Sequence, residues 1–194
     1  MAFLPAVAGV DRDDVGGEIE RAGAFEERAA DRVGVGGDLL PLEPADAVGV
    51  DDRSLTKIRG KRGLDEGQSV KAEELVADVT ADDFDALLVP GGQSPDHIRT
   101  NKDVQRFVKE FDQAKKPMFV ICHGPQVLIS AQLVRGRTLT GYASIADDIR
   151  NAGGLYRDQP VVQDGNWVTS RNPGDLILFN RAIIEKLAAQ NAPV

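Results

Sequence analysis

The sequence predicts an α/β fold: a mostly parallel sheet with helices covering both of its faces. From Ser54 onward, short apolar runs of strand type alternate with segments of helical periodicity. Two of those runs stop abruptly at turn-forming residues, "DALLVPGG" at Pro90-Gly91-Gly92 and "PMFVIC" at Cys122-His123-Gly124-Pro125. The chain has 194 residues, enough for one domain with a substantial core and short for two.

The elements follow in order. "DALLVPGG", Asp85 to Gly92, reads as a buried strand closed by a turn. "NKDVQRFVKEFDQAKK" puts Val104, Phe107, Val108 and Phe111 on one face of an amphipathic helix. "PMFVI" is a second buried strand and "PQVLISAQLV" the helix after it. "RTLTGY" reads as a third strand, and "SIADDIRNAG" as a helix ending at Gly153. "VVQDGNWVTS" reads as a hairpin with Asp164-Gly165 as its two-residue turn. "GDLILFNRAIIEKLAAQ" is a long closing helix. No internal repeat is visible.

The first 53 residues differ from the rest. Met1 to Arg53 carries thirteen acidic residues and five arginines, which accounts for the whole net charge of −8; the remainder has eighteen of each sign. This segment uses only eleven residue types and lacks Lys, Ser, Thr, Asn, Gln, His, Cys, Tyr and Trp. A helix over Gly17 to Arg32 is its one candidate element, and an irregular or disordered segment is the simpler reading. The division into domains is therefore 1–53, an atypical acidic segment, and 54–194, an α/β domain.

Composition narrows the function. The acidic balance argues against a nucleic-acid surface. No apolar run is long enough to span a membrane, no basic region precedes an apolar stretch, and a single cysteine excludes an internal disulfide, so a cytoplasmic protein is expected. His97 is the only histidine besides His123, too few ligands for zinc, and no cofactor motif is present.

Cys122 is where chemistry is expected. In an open parallel sheet, sites form at the carboxyl ends of strands, and both Cys122 and Gly91-Gly92 fall there. A sharp strand-to-helix turn would push the thiol outward, and the helix N-terminus would favour a thiolate and hold an oxyanion. Pro125 suits the first helical turn. Taken alone, "FVIC" is the usual pattern of a small buried apolar residue, and the Cys-His-Gly-Pro context at the strand-to-helix junction reverses that reading. Gly91 and Gly92 allow close backbone approach to a ligand, whereas Asp96 has two readings, a helix-capping residue or a functional carboxylate.

These residues bring a resemblance into view. "DDFDALLVPGGQSPDHIRTNKDV", "KPMFVICHGPQVLISAQLVRGRTLTGYASIADDIRNAGG" and "VVQDGNWVTSR" resemble the PfpI family of intracellular peptidase-like proteins, in the class I glutamine amidotransferase-like superfamily, over about residues 58–187. The resemblance implies a flavodoxin-like three-layer sandwich with a nucleophile elbow at Cys122. It implies that His123 is the general base, and that Asp96 stands where the family has an acid orienting that histidine across a subunit interface. It places oxyanion donors at Gly92 and the His123 amide, with Gly91 supporting the turn, and a pocket-lining role at Tyr142, which is equally a strand-end aromatic. The implied partners are a small carbonyl, glycated or peptide substrate and further copies of the chain in a dimer or hexamer.

The chain departs from the family at its start. The family opens with a strand running into an Asp-x-Phe-Glu turn whose glutamate meets the cysteine sulfur; that strand is expected to be absent here, leaving the elbow without its carboxylate. "GAFEE", Gly23 to Glu27, is the nearest echo, with Glu26 or Glu27 as the carboxylate. A displaced reading frame over residues 1 to about 53 would explain both the missing strand and the narrow composition, and would impair activity. The expected function is a cysteine-dependent hydrolase or lyase of stress-protein type, acting on electrophilic carbonyls as an intracellular peptidase, glyoxalase or deglycase. The alternative is a non-catalytic oxidative-stress sensor or chaperone with an oxidisable cysteine.

Overall fold

A computed structural model describes residues 2–3, 46–49, 58–62, 65–70 and 74–190. Its main sheet has seven strands in the order β10-β11-β7-β6-β1-β2-β5. These are β1 (Ala2–Phe3), β2 (Asp46–Gly49), β5 (Glu74–Leu75), β6 (Leu87–Val89), β7 (Met118–Ile121), β10 (Val161–Asp164) and β11 (Trp167–Ser170). Every neighbouring pair is parallel except β10 with β11. Two small ribbons stand apart: β3 (Ile58–Arg62) with β4 (Asp65–Val70), antiparallel, and β8 (Thr138–Leu139) with β9 (Leu155–Tyr156), parallel.

Alternation along the strands sorts side chains into two cores. Leu87, Val89, Met118, Val120 and Trp167 face one way, onto α2 (Lys102–Gln113), α3 (Pro125–Ser130) and α4 (Ala146–Asn151). Leu88, Phe119, Ile121 and Val168 face the other way, where Phe179, Ala182 and Ile183 of α5 (Leu176–Gln190) cover them. A period of two on the sheet with helices on either side makes a three-layer sandwich. The stripe Val104, Phe107, Val108 and Phe111 of α2 is fully buried, as its spacing predicts. Asn101 caps this helix by accepting from the amides of Asp103 and Val104.

Three sequence expectations need correction. The strand read in "RTLTGY" exists, but it is only Thr138–Leu139 and pairs with β9 rather than joining the main sheet. The hairpin turn is Gly165-Asn166, one residue later than expected, because Asp164 pairs with Trp167. Gly165, at φ +57°, takes the positive dihedral that such a short turn demands. The opening strand, not legible in the sequence, is present as Ala2–Phe3 between β2 and β6. Two residues suffice to fill that slot, and without them the facing N–H and C=O groups of both neighbours would lack ladder partners. The helix expected at Gly17 to Arg32, the Glu26/Glu27 echo and most of the segment 1–53 lie outside the described residues.

Candidate active site

The site lies at the carboxyl ends of β6 and β7. Cys122 follows β7 directly and has φ +60°, a left-handed conformation that strains any residue but glycine. The surrounding backbone over-determines this bend. The Cys122 N–H donates to the Ser170 carbonyl at 3.0 Å, the Gly124 N–H to the Ile121 carbonyl at 2.9 Å, and the Tyr142 N–H to the Cys122 carbonyl at 2.8 Å. Gly124 is required sterically: a Cβ there would lie 2.7 Å from Val120 Cγ1 and 2.8 Å from the Val89 oxygen. Pro125 then opens α3.

Cys122 and His123 come together. Cys122 Sγ lies 3.2 Å from His123 Nδ1, and His123 Nε2 lies 3.2 Å from Ser144 Oγ. The Tyr142 ring stacks on the imidazole at 4.8 Å between centroids. Partial burial, the larger effect, pushes the His123 pKa below its ordinary value, while the Asp96 carboxylate pulls it back. The shift favours the neutral ring, and in the tautomer protonated on Nε2 the Nδ1 lone pair faces the thiol.

Two expectations about the thiol and its acid are revised. Cys122 was expected to project outward, but it is 3% exposed and packs among Ala86, Leu88, Phe119, Ile121, Val168 and Phe179. Its φ of +60° is the strained angle of such an elbow, and the half-buried His123 imidazole is one polar neighbour of its sulfur. Asp96 sits within the first turn of α1 (Ser94–Ile98), not at its cap; its side chain is 60% exposed and lies 3.6 Å from Arg99. Within the chain it reaches His123 through its charge.

Gly91 is buried, and Gly92 has φ +77° at the start of the loop after β6. Tyr142 is 41% exposed and flanks the histidine. Sequence reasoning missed Ser144, read only as the start of a helix, and the Ser170 carbonyl. Neither carries a local signal, because each meets the elbow from another strand or loop. No group of three or more His, Cys, Asp or Glu residues suited to a metal ion occurs among the described residues.

A cysteine and histidine on a strained strand-to-helix bend, in a three-layer parallel sandwich, define an α/β protein of nucleophile-elbow type. Residues 44–186 match the model of the DJ-1/PfpI family, and the chain belongs to that family. The putative cysteine protease YraA of Bacillus subtilis is 47% identical over 72% of this chain and 80% of its own length. Protein/nucleic acid deglycase 2 of Escherichia coli is 46% identical over 68% and 76%. The deglycase PfpI of Pyrococcus furiosus is 45% identical over 67% and 76%. Among solved structures, Schizosaccharomyces pombe DJ-1 superposes with a TM-score of 0.71 at 26% identity, covering 99% of this chain and 92% of that one. A two-domain protein of Anabaena variabilis, with DJ-1/ThiJ/PfpI-like and ferritin-like domains, gives 0.74 at 34% identity over 96% of this chain and 47% of that one.

Proposed function

We propose that the protein is a cysteine-dependent enzyme acting on electrophilic carbonyls, with 2-oxoaldehydes or early glycation adducts as its preferred substrates. The observation that carries this reading is the 3.2 Å approach of Cys122 Sγ to His123 Nδ1 on a strained elbow. His123 takes the thiol proton as sulfur attacks the carbonyl carbon, giving a hemithioacetal with an aldehyde or an acyl-type adduct after a leaving group departs. The Gly92 and His123 amides hold the developing oxyanion, and the imidazolium returns its proton to it or to the leaving group. Relatives named as deglycases support this substrate class, and one named as a putative cysteine protease is consistent with a cysteine nucleophile.

Asp96 is the acid of the site in this reading. Its exposed carboxylate is available to the histidine of a neighbouring copy, so the working unit is a homo-oligomer. A site shared in this way encloses small substrates and restricts entry of folded protein. The cytoplasm is the proposed compartment; among the described residues no helix is long and apolar enough to cross a membrane.

The test is turnover of methylglyoxal to lactate by the full chain beside Cys122→Ala. Loss of at least about a hundredfold in the variant is expected for a nucleophile. Equal turnover by both proteins would remove the cysteine mechanism. No turnover by either, with a gain of two oxygens at Cys122 after mild peroxide, would favour the sensor.

A further inference from the structure

We infer that Ser144 is a positioning residue for this site, holding the His123 ring and accepting a hydrogen bond from Nε2–H when the imidazole becomes charged. The inference rests on the Cys122–His123 pair proposed above and goes further, because nothing in the motif around Cys122 points to Ser144.

The geometry is a clamp on three sides. Nδ1 faces Sγ at 3.2 Å, Nε2 faces Ser144 Oγ at 3.2 Å, and the Tyr142 ring covers one face. The segment carrying Tyr142 and Ser144 is tied to the elbow, since the Tyr142 N–H donates to the Cys122 carbonyl. Ser144 therefore keeps its register with the histidine without help from another subunit. A hydroxyl suits this position because it can donate to a bare Nε2 and accept from a protonated one.

Proton balance gives the consequence. When the Sγ–H bond breaks and Nδ1–H forms, the ring carries a proton on both nitrogens and becomes a cation. Nε2–H, already present in the tautomer that leaves Nδ1 free, becomes a stronger donor in the cation, and among the described residues Ser144 Oγ lies 3.2 Å from it. Among the described residues, the titratable and charged groups about this ring are Cys122 on its own turn, Tyr142 from the loop after β8, and Asp96 from α1 with its partner Arg99. Asp96 stabilises the imidazolium by charge from an exposed position; Ser144 does so by direct contact. Without the hydroxyl, the imidazolium–thiolate state is less populated, while the thiolate opposite a neutral ring is unaffected.

The experiment is the pH dependence of Cys122 alkylation by iodoacetamide in the full chain, comparing wild type, Ser144→Ala and Ser144→Thr. Ser144→Ala should react about three- to tenfold more slowly near pH 6 and converge with wild type in alkali, where the thiolate forms without the histidine's help. Ser144→Thr keeps the hydroxyl and should follow wild type. A uniform loss at every pH, an unchanged Ser144→Ala profile, or equal effects of both substitutions would overturn the role. Alkylation needs no substrate, so failure of methylglyoxal turnover would remove the proposed activity and leave this result readable.

Discussion

His123 is the residue on which the site's pH behaviour turns. Burial holds its pKa below the ordinary value of 6.5, so the folded protein binds that proton less readily than the unfolded chain. The sign follows. Above pH 6.5 the ring is neutral in both states and carries no penalty; as pH falls from 6.5 through the lower folded value, the folded state loses stability. His123→Gln should therefore lose less stability than wild type on acidification, read from urea midpoints. The acid limb of kcat/KM for methylglyoxal should likewise lie below the ordinary imidazole value of 6.5. Asp96→Asn removes the opposing charge and should move that limb lower still, by a small amount because the carboxylate is exposed.

At the scale of the elements, the elbow depends on a glycine and the far end of the sheet on a charge network. Gly124→Ala forces a Cβ against Val120 and the Val89 oxygen, contacts that only backbone movement relieves. A loss of about 1–3 kcal/mol in denaturant unfolding is expected, with slower alkylation of Cys122 as the bend shifts. At the opposite edge, Asp112 accepts from Trp167 Nε1 at 2.8 Å and from Arg137 at 3.1 Å, while the Arg137 guanidinium lies 3.9 Å over the Trp167 ring. This network ties α2 to β11 and to the residue before β8. Asp112→Ala leaves a buried indole N–H unpaired and should cost roughly 2 kcal/mol by urea titration, with the alkylation profile of Cys122 unchanged. Helix α4 closes by a similar local device: Gly153, at φ +88°, lets the Gly154 N–H reach the Ile149 carbonyl.

For the whole molecule, the parallel sheet brings distant segments to one edge. Gly92 after β6, Cys122 after β7 and Ser170 at the end of β11 meet because parallel strands all finish on the same side. The proposed oligomer adds a further level. If Asp96 serves a neighbouring copy, specific activity should fall on dilution below the assembly's dissociation range, and sedimentation should show a species larger than 20.8 kDa under active conditions. Activity independent of concentration in a sedimenting monomer would confine Asp96 to its own chain.

Local pattern determined most of the architecture. Most strands and helices from Leu87 to Gln190, though not Ser94–Ile98 or Leu155–Tyr156, were legible because burial on a sheet or helix face enforces a period in the apolar residues, and the turn chemistry of Gly91-Gly92 and Cys122-Pro125 marked the sheet's working edge. Tertiary structure decided what periodicity cannot express. It set the two-residue strand Ala2–Phe3 between β2 and β6, too short to show a pattern, and the pairing of Thr138–Leu139 away from the main sheet. It left Cys122 almost wholly buried at a positive-φ bend, where an outward thiol was expected. It brought Ser144 to His123 across 21 residues of chain, a contact made by folding rather than by spacing.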